Sequence, residues 1–279
     1  MLSYTISTSQ NKFQSPRINQ CFQIMPTRTG LLNSCKYNAN TINTNILLHT
    51  GYDFHPFQQE IFNPLSYQAQ LLNSYLETCK QLKVNQLLIH GPDQPKKLEF
   101  YTAGLTILKS YLNDFNSNSA ESKYKLQICI EMPAFCKSMY SILNQSDIYD
   151  FTLSYFNEAI KKGFDIVIDT AHLFSNGLET NQIIDILEIF KNNYTFIHLN
   201  GNAHDKFKKD KHTTLTPCSN FEPNLIPKSN LILEKVSKLM NSGKICISEQ
   251  KCNNIEYFNK LAKEYNFKLN ETIPANLII

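Results

Sequence analysis

Apolar residues along this chain gather in short runs, and most of those runs stop at a residue of one chemical kind. Tyr4–Ser7 and Cys21–Met25 read as two strands, the second halted by Pro26. A polar, Asn-rich stretch over Thr27–Asn45 follows, and then Asn45–Leu48 runs into His49. Val84–Ile89 runs into His90 before Gly91-Pro92 breaks it, and Leu126–Ile130 runs into Glu131 with a proline two positions on. The Phe164 strand, with its apolar run Ile166–Ile168, delivers Asp169. Thr195–Leu199 carries His198, and Lys244–Ile247 leads to Glu249. Helical spacing fills the intervals. Leu65, Leu72, Leu76 and Leu82 line one face of Leu65–Lys83, and Ile183, Ile184, Leu187 and Phe190 line one face of Glu179–Phe190. Leu98–Leu112, Phe151–Lys161 and Leu231–Met240 read as helices too, with more helix and a tail after Glu249. Asn113–Ser119 reads as a polar linker loop, and Gly201–Pro227 as a long loop.

Eight strand-like runs alternating with helices predict a parallel sheet covered by helices. In a chain of 279 residues this count fits a single (β/α)8 TIM barrel spanning 1–279, with no 20–50-residue repeat. The barrel gives the run ends a meaning. His49, His90, Glu131, Asp169, His198 and Glu249 would all stand at the C-terminal mouth, where this architecture assembles its sites. Two local spacings add to them: Asp169 with His172 as D-x-x-H, and Asp210 with His212 as D-x-H. One histidine at a strand end is usually structural. Nine ligand-type residues converging on one mouth point to metal.

Composition narrows the class only slightly. Hydrophobic residues at 42% and charged residues at 18% describe a globular chain with a large core. A net charge of +3 neither demands nor opposes a polyanionic partner. The eight cysteines include no C-x-x-C, and Cys129 and Cys246 lie inside strand-like runs. Reduced thiols in an intracellular setting (cytoplasm or nucleus) are therefore expected, rather than a disulfide framework. No run nears the roughly 18 apolar residues of a span, and MLSYTISTSQNKF lacks a signal-like apolar centre. The expectation is a monomer without a membrane partner.

Longer motifs carry a family likeness. IDTAHLFSNG and HLNGNAHDKFKKDKHTTL, together with LLHTGY, LLIH, CIEMPA and ISEQ, resemble the metal-binding segments of the endonuclease IV family of abasic-site DNA-repair nucleases. The likeness runs from about Asn45 to Glu249, and all nine of the family's metal positions hold the matching residue type. It implies a trinuclear zinc barrel, with manganese in place of one zinc as the variant. His49 and His90 would hold the first ion, with Glu131 bridging it to a second completed by Asp169, His198 and Glu249. His172, Asp210 and His212 would hold the third. Glu131, Asp169 and Glu249 would be the catalytic carboxylates. The implied partner is double-stranded DNA with abasic sites or blocked 3′ ends, cut on the 5′ side of the lesion to leave a 3′-hydroxyl. Tyr52 matches the family's inserted tyrosine, and Arg28 stands loosely for an inserted arginine. The chain departs from the family in reading YTISTS at its first strand, in Gly201 after H-L-N where an Asp is usual, and in lacking G-E-G after the D-x-H segment.

The residue types suit that chemistry. Zinc on histidine and carboxylate lowers the pKa of a coordinated water toward 7, and paired ions grip a phosphodiester. Two carboxylates about 5 Å apart at an effective dielectric of ~20 repel by about 3 kcal/mol. Four of them (−4) therefore call for cations, and three Zn2+ (+6) leave +2. Lys206, Lys208, Lys209 and Lys211 form either a solvated charged loop or phosphate contacts beside the site. Two other readings stand beside the nuclease. One is a sugar isomerase or epimerase on a related barrel, which usually uses fewer metal ligands; the other is a non-cleaving damage-binding protein.

Overall fold

The computed structural model describes residues 2–8, 22–26, 46–51, 54–57, 63–92, 98–118, 124–136, 138, 145–218, 221–249 and 255–267. Its elements run β1 (Leu2–Thr8), β2 (Phe22–Pro26), β3 (Ile46–His49), α1 (Tyr67–Leu82), β4 (Gln86–His90), α2 (Leu98–Asn118), β5 (Gln127–Glu131) and α3 (Gln145–Lys161). Then come β6 (Asp165–Asp169), α4 (Thr170–Ser175), α5 (Thr180–Ile189), β7 (Phe196–His198), β8 (Gly201–Asn202), β9 (His212–Thr213), α6 (Ser229–Asn241), β10 (Ile245–Ser248) and α7 (Ile255–Tyr265). Eight strands close into one parallel barrel in the order β1-β10-β7-β6-β5-β4-β3-β2, with β1 pairing β2 to shut the ring. The predicted (β/α)8 architecture is the observed one.

Strand alternation divides the apolar residues between two compartments. Leu48, Leu87, Ile89, Ile128, Ile130, Ile166, Ile168 and Ile197 face outward into the layer shared with the helices. Leu47, Leu88, Cys129, Val167, Phe196, Ile245 and Ile247 form a separate cluster that fills the barrel. That inner cluster positions the site. Stepping two residues on from Leu47, Leu88, Cys129, Val167, Phe196 and Ile247 gives His49, His90, Glu131, Asp169, His198 and Glu249. A side-chain period of two puts all six directly above the apolar plug.

The helices close the outer layer. In α1, Leu72, Tyr75, Leu76 and Cys79 fall on one buried face, Ser66 caps the start by accepting from the Ala69 N–H, and Lys83 ends it in the left-handed region at φ 52°. Two readings of the sequence need correction. The stretch read as a linker at 113–119 continues α2 as far as Asn118. Its Asn116 side chain both donates to the Leu126 carbonyl and accepts from the Leu126 N–H, so the helix end is clamped to the chain entering β5. The long loop 201–227 contains a two-stranded antiparallel hairpin, β8–β9, in which Asn202 pairs with His212.

Candidate metal centre

Three clusters of ligand atoms occupy the mouth of the barrel: His49 with His90 and Glu131, Glu131 with Asp169 and His198, and Asp169 with His172 and His212. Within each, one ligand atom per residue lies within 4.8 Å of the others. Glu131 belongs to the first two clusters and Asp169 to the last two. Asp210 joins the third through Oδ2, 3.4 Å from His172 Nε2 and 3.2 Å from His212 Nε2. Glu249 borders the second, with Oε2 3.6 Å from His198 Nδ1 and 3.5 Å from His212 Nδ1. All nine sequence-predicted metal positions therefore come together. Asp169 reaches further than expected, lying 3.5 Å from His212 Nε2 as well as beside His198.

Local structure aims each side chain. Asp169 is the N-cap of the short helix α4: its Oδ1 accepts from the Ala171 and His172 N–H groups, at 2.7 and 3.1 Å. The other oxygen, Oδ2, is left to face the site. The D-x-x-H spacing thus places a cap and a ligand within one helical turn. The rings are set by their second nitrogens. His49 Nδ1 lies 2.6 Å from the Thr50 carbonyl and His172 Nδ1 lies 3.1 Å from the Met132 carbonyl, which turns Nε2 of each toward the carboxylates. Gly91 leaves room for Tyr155, whose hydroxyl would lie 1.4 Å from any added Cβ. The β8–β9 hairpin folds Asp210 and His212 back over the mouth. Within it, Asn202 accepts from the Lys211 N–H and donates to Ser175 Oγ. At Gly201 a Cβ would meet Asn224 Oδ1 at 2.8 Å and the Thr214 carbonyl at 2.9 Å, so no larger residue has space here.

Electrostatics follow from packing nine ionisable groups in a buried space. Burial dominates at His49 and, with His90 beside it, lowers its pKa to about 4. Burial also favours neutral rings at His198 and His212, but Glu249 and Glu131 outweigh it at His198, and Asp169 and Asp210 at His212. Both rings rise to about 9. His172 is raised well above its ordinary value for the same reason, burial being overcome by Asp169, Glu131 and Asp210. Burial raises Asp169. At Glu131, Asp210 and Glu249 burial would do the same, but the surrounding histidines reverse it and hold all three carboxyls below their usual range, Glu249 at about 2.

The donor set fits divalent cations. Every ligand is an imidazole nitrogen or a carboxylate oxygen, the pairing that suits zinc and manganese rather than soft thiophilic ions. Asp210 Oδ1 is buried and makes no hydrogen bond among the described residues, and Glu131 Oε2 and His212 Nε2 are buried against other ligand atoms, His90 Nε2 at 2.9 Å and Asp210 Oδ2 at 3.2 Å. Buried polar atoms are costly when unpartnered, and cation ligands are the usual exception.

Of the other predicted site residues, Tyr52 and Arg28 lie outside the described residues. The four lysines divide into two kinds. Lys206 pairs with Glu179 and lies over the Phe174 ring, and Lys211 pairs with Glu222, whereas Lys208 and Lys209 are exposed. Sequence reasoning missed Gln23 of β2, which is fully buried against His198 and Glu249. Its only signal was a polar residue inside an apolar strand. Asn200, two residues beyond His198, donates to Asp169 Oδ2 at 2.8 Å and to Glu249 Oε2 at 3.2 Å.

No protein-family model matches the sequence, and no curated protein matches it. Solved structures do. The AsfvAP:AG structure, of an African swine fever virus AP endonuclease, superposes with a TM-score of 0.60 at 15% identity, covering 95% of this chain and 96% of that one. The probable 3-DHS dehydratase AsbF of Bacillus anthracis gives 0.56 at 10% identity, covering 96% and 100%. A xylose isomerase domain protein of Planctomyces limnophilus gives 0.53 at 10%, covering 88% and 89%. At identities this low the likeness shows the (β/α)8 fold and leaves the chemistry to the residues.

Proposed function

We propose that this barrel is a metal-dependent phosphodiesterase, a zinc AP endonuclease that hydrolyses duplex DNA on the 5′ side of an abasic site and trims blocked 3′ ends. One observation carries the reading: His172 and His212, with Asp210 beside them, gather with Asp169 into a third ligand cluster, and Asp169 also belongs to the cluster of Glu131 and His198. A sugar isomerase or epimerase on a related barrel usually uses fewer metal ligands. The viral AP endonuclease among the similar structures is consistent with the reading, and so are the sequence motifs that resemble endonuclease IV. His49, His90 and Glu131 would hold one ion, Glu131, Asp169, His198 and Glu249 a second, and His172, Asp210 and His212 a third. Such ions supply Lewis acidity toward phosphate oxygens and activate water at neutral pH.

The chain's own residues do the positioning. Glu131 and Asp169 tie neighbouring clusters together, and the cap on α4 leaves Asp169 a single oxygen to present. Lys208 and Lys209 offer exposed positive charge on the loop that bears Asp210, suited to a DNA backbone. The test is a duplex carrying one tetrahydrofuran abasic analogue, incubated with the purified protein with and without chelator, beside a count of bound metal. Incision 5′ to the analogue, abolished by chelator, with about three zinc per chain, is the expected result. Tight binding without incision would instead make this a damage-binding protein. Neither activity, with a single ion per chain, would return the barrel to sugar chemistry.

A further inference from the structure

Among the strands whose residues crowd the mouth, β2 (FQIMP) brings no metal-ligating residue type, yet it sends one side chain into the centre. Gln23 stands in register beside Leu47, at the level where neighbouring strands carry the apolar plug. Its side chain is completely buried. Its Oε1 lies 2.6 Å from His198 Nε2, and its Nε2 lies 2.7 Å from Glu249 Oε1. Chemistry fixes which way the carboxamide points. A carboxylate oxygen can only accept, so the amide nitrogen faces Glu249 and the amide oxygen faces His198. An amide oxygen only accepts as well, so the His198 nitrogen that meets it carries the proton.

That proton decides what the other face of the ring can do. With Nε2–H donated to Gln23, Nδ1 is the atom turned to the carboxylates, 2.9 Å from Glu131 Oε1, 3.6 Å from Glu249 Oε2 and 3.8 Å from Asp169 Oδ2. Glu249 is held from two sides. Gln23 takes Oε1 from β2, while Asn200 donates to Oε2 from the end of β7 and accepts from the Glu249 N–H at 3.0 Å. The hydrogen bonds form a chain, Glu131, His198, Gln23, Glu249, Asn200 and Asp169 in that order, which links the three members of the cluster of Glu131, Asp169 and His198.

We infer that Gln23 is a positioning residue of the metal centre, setting the tautomer and tilt of His198 and the rotamer of Glu249 so that each presents one atom to the middle ion. The inference rests on the metal-centre reading above. It also accounts for the residue type. A carboxamide gives one acceptor and one donor without charge. A carboxylate at this position would face Glu249 with like charge, a lysine would leave His198 Nε2–H without an acceptor, and an apolar residue would supply neither bond. Partners that orient metal-bound histidines typically contribute about 10–100-fold to affinity.

The test compares full-length wild type with Gln23→Met and Gln23→Glu, using zinc alone as probe. Bound zinc is counted across a chelator-buffered series of free zinc, and the ring nitrogens of 15N-histidine-labelled protein report the tautomer of His198. In zinc-loaded wild type, one tautomer protonated at Nε2 is expected. In Gln23→Met, one zinc equivalent should need about 10–100-fold more free zinc while the remaining equivalents load as before, and His198 should lose its single tautomer. Gln23→Glu keeps an acceptor for His198, so it should preserve the tautomer while still weakening the same equivalent through Glu249. If Gln23→Met does not fold, the isosteric Gln23→Glu decides alone, by that split between tautomer and affinity. Wild type that takes up no zinc overturns the metal-centre reading and this one together. Wild type that loads zinc, with variants whose loading and tautomer are unchanged, overturns this one only.

Discussion

Glu131 and Asp169 each serve two of the three ligand clusters, whereas His90 serves one. Their substitutions should therefore differ in how many ions are lost, not merely in how much activity. Glu131→Gln is expected to weaken the first and second zinc equivalents and leave the third. Asp169→Asn should weaken the second and third and leave the first, and because asparagine caps helices as well as aspartate does, α4 should survive the change. His90→Ala should cost only the first. Elemental analysis after dialysis against buffered zinc, with circular dichroism to verify the fold, checks all three. Equal losses in every variant would mean that the clusters are not separate binding units. On the proposed function, Glu131→Gln should also abolish incision, since the carboxylate it removes is common to the first two clusters. These six strand-end residues were legible in the sequence because each is a local event, an apolar run with a ligand type at its end. Gln23 was not, because its partners lie 175 and 226 positions away in the chain. No local pattern records a contact made across a closed barrel.

The loop between β8 and β9 decides whether the third cluster exists. Its anchor is Phe207, which takes a positive φ of 60°, donates its N–H to the Ser175 carbonyl, and lays its ring against Gly177. Gly177 itself sits at φ 108°, and a Cβ there would meet the Phe207 ring at 2.3 Å, so glycine is required on both counts. Removing the half-buried ring forfeits about 1.5 kcal/mol of local closure, roughly a tenfold shift in how often the loop opens. Phe207→Ala is therefore expected to speed tryptic cleavage after Lys206, Lys208 or Lys209 by about that factor, with the midpoint of global denaturation nearly unmoved. An unchanged cleavage rate would mean that the loop is held elsewhere. Sequence periodicity finds strands of four or five residues and helices of ten or more. It had no purchase on β8 and β9, two residues each, or on the six-residue α4. It also ended α2 too early, because the polar run after Leu112 looks like a loop until Asn116 is seen fastened to Leu126.

At the scale of the whole molecule, the barrel gathers four carboxylates at one mouth of a chain whose net charge is only +3. Raised titration of His172, His198 and His212 offsets much of that negative charge, so the mouth alone offers a DNA backbone little attraction. Cations held by the nine ligands would make the centre positive, and the lysines of the β8–β9 loop would extend that positive surface outward. Those lysines should not contribute equally. Lys206 and Lys211 already face Glu179 and Glu222, whereas Lys208 and Lys209 are exposed. Each phosphate contact adds about 0.9 to the slope of log binding constant against log salt. With zinc-loaded protein and a duplex bearing an abasic analogue, Lys208→Ala combined with Lys209→Ala should flatten that slope by roughly 1.8. Lys206→Ala combined with Lys211→Ala should flatten it by less, because those charges are partly neutralised within the protein. Fluorescence anisotropy from 50 to 200 mM salt measures both slopes. Identical slopes for wild type and the Lys208/Lys209 double variant would make the loop a solvated one, and the DNA path would then have to run elsewhere around the mouth.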